Sequence, residues 1–307
     1  MGKIDIKLDE NSFLPLEHSD VDIVNEKSRG RFYNLQITLK NNRIAQISIF
    51  LLIVITLMAL AAPLSPYDPD EMDIAHKFLT PSMQHILGTD SFGRDYFTRA
   101  LYGGRVSLTI GFFSMLVSVV VGTIYGTIAG YVGGMVDTVL MRILDMLASI
   151  PSFLIIIMLN AVITPSIKTI ILIIGFFSWM EVARIVRAEA MTLKSRDYVL
   201  AAKGLGASGI RIATRHIMAN ASPQIIVAAS LSIAQAILIE STLSFLGFGV
   251  QLPTASWGSM LQDAQKLILS KPMFAIYPGA LILITVLCFN VLGDMLRKAL
   301  DPKQTVK

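Results

Sequence analysis

Residues 47–64, ISIFLLIVITLMALAAPL, carry no charged side chain, and a run of that length has few places to go except across a bilayer. A spanning helix needs about 20 mostly apolar residues. Six stretches meet that need, near Gln46–Leu64, Val106–Gly130, Leu140–Ile163, Thr169–Ala183, Gln224–Phe245 and Ala275–Leu296. The fourth is short unless it continues as a helix through ARIVRAEAMTLKS into the aqueous side. With 53% hydrophobic and 16% charged residues, the chain is too apolar for an ordinary soluble domain. The sequence therefore predicts an all-α polytopic membrane protein with six transmembrane helices.

Lys and Arg placement sets the orientation, because short cytoplasmic loops retain them. Lys27, Arg29, Arg31, Lys40 and Arg43 precede the first span, seven more bases lie in 184–215, and Arg297, Lys298, Lys303 and Lys307 follow the last. The opposite side is poorer: Lys168 after the third span, and Lys266 and Lys271 in 247–274. In the first outer loop, Lys77, Arg94, Arg99 and Arg105 are offset by six acids. Both termini are expected in the cytoplasm. Ala59-Leu60-Ala61 looks like a signal cleavage site, but about 45 polar residues precede the apolar run, far more than a signal peptide's basic region. The single cysteine, Cys288, excludes an intrachain disulfide.

The expected organisation is a polar arm over 1–44, an anchor and outer loop over 45–105, a five-helix core over 106–297 and a tail over 298–307. The arm alternates acids and bases without apolar periodicity, as a solvated segment does. Within the core, Gly122, Gly126 and Gly130 recur every fourth residue with Ser118 in register. Such a stripe lets two membrane helices approach closely, as static packing or as a sliding surface. Pro151 predicts a kink in the third span. Gly247, Gly249 and Pro253 break the fifth span into an outer surface or re-entrant element, with Trp257 expected at the membrane interface.

A charge at mid-bilayer costs about 2.5–3.5 kcal/mol on insertion scales, so each one in a span needs a partner. Arg142 with Asp145, Glu181 with Arg184, and Asp294 with Arg297 and Lys298 are spaced to pair along one helix. Glu240 has no base within a turn. It must bond to another helix or line an aqueous pathway.

The segment between the fourth and fifth apolar runs, RDYVLAAKGLGASGIRIATRHIMANASP, differs from both neighbours. Arg196, Lys203, Arg211 and Arg215 face the single acid Asp197, and Gly204, Gly206 and Gly209 punctuate the pattern. Tyr198, Val199, Ala201 and Ala202 suit one face of a short helix that the glycines end. The segment resembles the cytoplasmic loop of binding-protein-dependent ABC importer permeases, which reads Glu-Ala-Ala, three residues, Gly, nine residues, Ile-x-Leu-Pro. Ala201, Ala202 and Gly206 match; Leu200 stands for the Glu and Ala219 for the Pro. LGTDSFGRDYFTRALYGGRVSL (87–108), LSFLGFGVQLPTASWGSML (243–261) and LGDMLRKALDP (292–302) are similar to segments of the dipeptide, oligopeptide and nickel subfamily.

That resemblance implies the architecture of a type I ABC importer permease, the second of its pair. The chain would share a translocation pathway with a homologous permease and receive cargo from an extracytoplasmic substrate-binding protein. The complex would hold two ABC ATPase subunits, and the coupling loop, 184–222, would dock into the cleft of one of them through Arg196, Tyr198, Ala201, Ala202, Lys203, Gly206, Arg211 and Arg215. ATP and Mg would sit on those subunits and no cofactor or metal on this chain. The expected location is the plasma membrane of a bacterial or archaeal cell, in contact with lipid. Peptides are the expected cargo, with nickel, glutathione or another small solute as alternatives. No G-x-x-x-x-G-K-[ST] or H-E-x-x-H motif occurs, and the four histidines lack ligand spacing. Catalysis and nucleic-acid binding are therefore not expected. A secondary transporter without ATPases would call for inverted repeats or paired mid-span charges. An intramembrane enzyme would need facing catalytic groups, and candidates for them are missing.

Overall fold

A computed structural model describes residues 37–40, 42–163 and 166–300. The arm before residue 37 and the tail beyond residue 300, with Lys303 and Lys307, lie outside the described residues. The described chain is helical: α1 (Arg43–Leu60), α2 (Tyr96–Val132), α3 (Gly134–Ala148), α4 (Ser152–Val162), α5 (Ile167–Leu193), α6 (Asp197–Gly204), α7 (Gly209–Phe245), α8 (Trp257–Ala264) and α9 (Met273–Leu300). Five of these are long and apolar enough to cross a membrane, and the α3–α4 pair, bent by 66°, supplies a sixth span. The bend falls at Ser149–Pro151, where proline cannot continue the helical ladder.

Three spans outrun their apolar cores. α2 starts at Tyr96, ahead of the expected Val106, because Asp95 caps it by accepting from the Thr98 amide at 2.7 Å. The division drawn at 105/106 thus falls inside one helix. At 37 residues α2 is about 55 Å long, well beyond a hydrocarbon thickness of about 30 Å. α5 continues to Leu193, and α7 begins at Gly209 with a π-helical stretch over Ile212–Met218.

The central contact is α2 on α5. A Cβ at Gly122 would lie 2.7 Å from Val182 Cβ, and one at Gly130 would lie 2.6 Å from the Arg187 carbonyl oxygen. One at Gly126 would overlap the Ala183 carbonyl. From the opposite helix, a Cβ at Gly175 would stand 2.7 Å from Val117 Cβ. Backbone therefore meets backbone along the seam, the geometry small residues permit in lipid. Asp137 of α3 closes the same region by accepting from Arg187 Nη2 at 2.6 Å.

At the end of the molecule where α2 begins, residues 65–95 fold into a cap. Asp90 Oδ1 accepts from the amides of Phe92 (2.8 Å) and Arg94 (3.0 Å), and Asp90 Oδ2 takes Arg94 Nε at 2.7 Å. Arg94 also reaches Asp263 of α8 at 3.3 Å, and Arg99 bonds the Pro69 carbonyl at 2.9 Å. Both guanidinium groups are buried, so these charges are structural ties. Burial raises the Asp263 carboxyl above its ordinary range, against the pull of Arg99 and Arg94. Gly93, at φ 78°, has the Asp73 carbonyl where a Cβ would stand.

Trp257 does not sit at an interface. It is 1% exposed, donates Nε1–H to the Ala100 carbonyl at 3.0 Å, and its indole fills the space left by Gly104. The element after the fifth span thus packs against α2, α7 and α9.

Candidate functional site

The loop carrying α6 lies at the end of the molecule opposite the cap. Arg196 occupies the N-cap position without a side-chain cap, while Asp197 in the first turn and Lys203 in the last complement the helix dipole. The C-terminus closes as a Schellman motif: the Gly206 amide bonds the Lys203 carbonyl and the Ala207 amide bonds that of Ala202, both at 3.0 Å. Gly206 takes φ 80°, with nothing within 4 Å of a built Cβ. The sequence thus needs glycine here for backbone conformation, not for space. Ser208 then caps the next helix by accepting from the Arg211 amide at 3.4 Å.

One side chain anchors α6. Val199 packs with Ala190, Leu193, Ile212, Ile217 and Ala221, bordered by Tyr131 and Ala207. The four residues expected to share a face do not: Tyr198 and Ala201 are exposed, Ala202 is half-buried, and only Val199 points inward. A helix of two turns resting on one ridge cannot bury four consecutive positions. Arg196, Lys203, Arg211 and Arg215 are all exposed, and among the described residues none forms an ion pair. Between them stand Leu200, Leu205 and Ile210, at 54%, 90% and 80% exposure. Sequence reasoning named Leu200 only as the departure from the family's Glu and did not single out Leu205 or Ile210. The available signal was large aliphatic residues in a loop otherwise made of charge, glycine and alanine. The arrangement is a rigid two-turn knob, basic at its rim and aliphatic at its tip, with no chemistry of its own.

Glu240 lies elsewhere, at the cap end of α7, and is fully buried. Ser107 Oγ of α2 donates to Oε2 at 3.0 Å and Ser244 Oγ to Oε1 at 2.7 Å. Those serines in turn accept the Trp257 amide at 3.2 Å and the Val250 amide at 3.0 Å. The carboxyl thus joins α2, α7 and the start of α8.

The remaining span charges pair differently from their sequence spacing. Asp145 meets Arg184 of α5 at 2.9 Å instead of Arg142, because its neighbour Leu144 packs α3 against Trp179, Met180 and Ala183 of α5. Glu181 therefore lacks the Arg184 contact its spacing suggests, and no ion pair to it or to Asp294 occurs among the described residues. The described residues contain no group of three or more His, Cys, Asp or Glu able to hold a metal ion.

Comparison with known proteins matches residues 122–306 to the family described as binding-protein-dependent transport system inner membrane component. Residues 37–81 match the N-terminal TM domain of oligopeptide transport permease C. The chain is 37% identical to the oligopeptide transport system permease protein OppC of Bacillus subtilis (strain 168), over 92% of this chain and 93% of that protein. It is 43% identical to OppC of Escherichia coli (strain K12), covering 86% and 88%. Identity to the B. subtilis dipeptide transport system permease protein DppC is 39%, covering 86% and 83%. The chain therefore belongs to the binding-protein-dependent transport system inner membrane components, as a membrane permease and not an enzyme.

Proposed function

We propose that this permease imports peptides as one of two homologous membrane subunits, driven by two separate ATPase subunits that hold the ATP and Mg. The α6 loop is the docking element for one ATPase, and it and both termini lie on the cytoplasmic side. The cap end faces the extracytoplasmic substrate-binding protein that delivers cargo. The observation that carries this reading is the geometry of α6. An anchored helix with unpaired basic groups and exposed Leu205 and Ile210 is costly in a free protein and economical under a partner.

Peptide cargo is supported by the names of relatives 37–43% identical over most of the chain. Motion follows from the connections of α6. It packs on the end of α5 and on the π-helical start of α7, so displacing it pulls on two spans at once. π stretches inside helices are rare and frequently mark functional sites, which supports Ile212–Met218 as the joint. The two states of such a coupled unit would be biased by ATP at one end and the loaded binding protein at the other. Reconstitution in liposomes with the partner subunits tests the reading. ATP-dependent, binding-protein-dependent uptake of labelled peptide is expected. Uptake that proceeds without the ATPases, on an ion gradient alone, would overturn it.

A further inference from the structure

Halfway along α5, Glu181 is an exposed carboxylate in a helix that must cross the bilayer. Its expected partner, Arg184, is engaged by Asp145. Glu181 lies in a groove of about 360 Å³ between α4, α5 and α7, together with Ser152, Ser178, Ser232 and Gln235. Among the described residues, none of these five side chains makes a hydrogen bond or ion pair. Within 169–183 and 224–241, the exposed residues besides Glu181 and Gln235 are Leu172, Phe176, Ile226 and Leu238. The polar groups are thus gathered in one concavity.

A second observation points to the same place. The α3–α4 break at Ser149–Pro151, inside the apolar run read as the third span, leaves exposed, non-helical backbone, and Ser152, the first residue after it, lines the groove. Irregular backbone inside a span is tolerated only against protein or beside a water-filled cavity. An unpaired carboxylate facing lipid is excluded on the same grounds.

We propose that this groove is the chain's share of the aqueous translocation path, and that Glu181 is the carboxylate that meets the positively charged amino end of the cargo. The cargo clause rests on the peptide reading above; the groove clause does not. An acceptor-only carboxylate beside hydroxyl and amide groups, with Arg184 of the same groove paired to Asp145, suits an ammonium, which brings a charge and several donors and needs several acceptors. Ser178 and Ser232 supply further acceptors, and the neighbouring cation is already neutralised.

The lone, buried Cys288 makes the test clean. Glu181→Cys, Gln235→Cys and, as a core control, Ile237→Cys are assembled with the partner subunits in liposomes and treated with a cationic methanethiosulfonate. The first two are expected to react at least about tenfold faster than the control, with transported peptide slowing Glu181→Cys. Reaction of Glu181→Cys no faster than Ile237→Cys overturns the groove. In parallel, Glu181→Gln, which keeps the shape, is expected to lower uptake of peptides with a free amino end about tenfold, the worth of about 1.4 kcal/mol. N-acetylated peptides should be unaffected. Equal uptake of both kinds at wild-type rates overturns the ammonium role while leaving peptide transport standing. A wild-type complex that moves no peptide, yet shows fast Glu181→Cys labelling, overturns the peptide reading and supports the groove.

Discussion

The cap end and the α6 loop both place arginines and a positive-φ glycine at key positions, and the two ends use them in opposite ways. In the cap, Arg94 and Arg99 are buried and tied to Asp90, Asp263 and the Pro69 carbonyl. Gly93 is required by space as well as by φ. In the loop, Arg196, Lys203, Arg211 and Arg215 are exposed, and Gly206 is required by φ alone. The cap spends its charges on its own fold, and the loop leaves them for something else. The contrast predicts that substitutions in the cap act on stability first, and substitutions in the loop act on assembly.

Unfolding in mixed micelles and co-purification of the partner subunits can break that contrast. The largest effect is expected for Asp90→Ala, which strands the buried Arg94 guanidinium and should cost about 3–5 kcal/mol. A loss under 1 kcal/mol would show that the cap is open to water. Gly93→Ala should follow at roughly 3 kcal/mol, because the new methyl group meets the Asp73 carbonyl and the backbone disfavours φ 78°. In the α2–α5 seam, Gly126→Val should destabilise by about 1–3 kcal/mol, seen as a lower unfolding midpoint. A neutral result there would mean that the helices separate easily. Gly206→Ala should cost only about 1 kcal/mol, the backbone term alone, while weakening ATPase association.

The spans were legible because hydropathy is a local signal, and so was the kink at Pro151. What paired with what was not. Arg94 meets Asp263 across 169 positions and Ser107 meets Glu240 across 133, separations at which no spacing rule operates. Asp145 reads as the partner of Arg142 one turn away, yet the packing of Leu144 on α5 hands it to Arg184. Trp257 reads as interfacial by residue type and is buried because Gly103 and Gly104 leave room for its ring. The loop was found by its basic, glycine-punctuated pattern. Its aliphatic tip was not, since exposure of Leu205 and Ile210 depends on which side of α6 Val199 anchors.

The central claim is that the α6 knob is built for a partner and not for the fold. The most direct measurement is the Leu205→Ala, Ile210→Ala double variant, scored for unfolding and for ATPase co-purification in one preparation. The account predicts a stability change within about 0.5 kcal/mol, as for exposed positions, together with loss of the ATPase subunits from the complex. Full retention of the ATPases, or a chain that no longer folds, would contradict it.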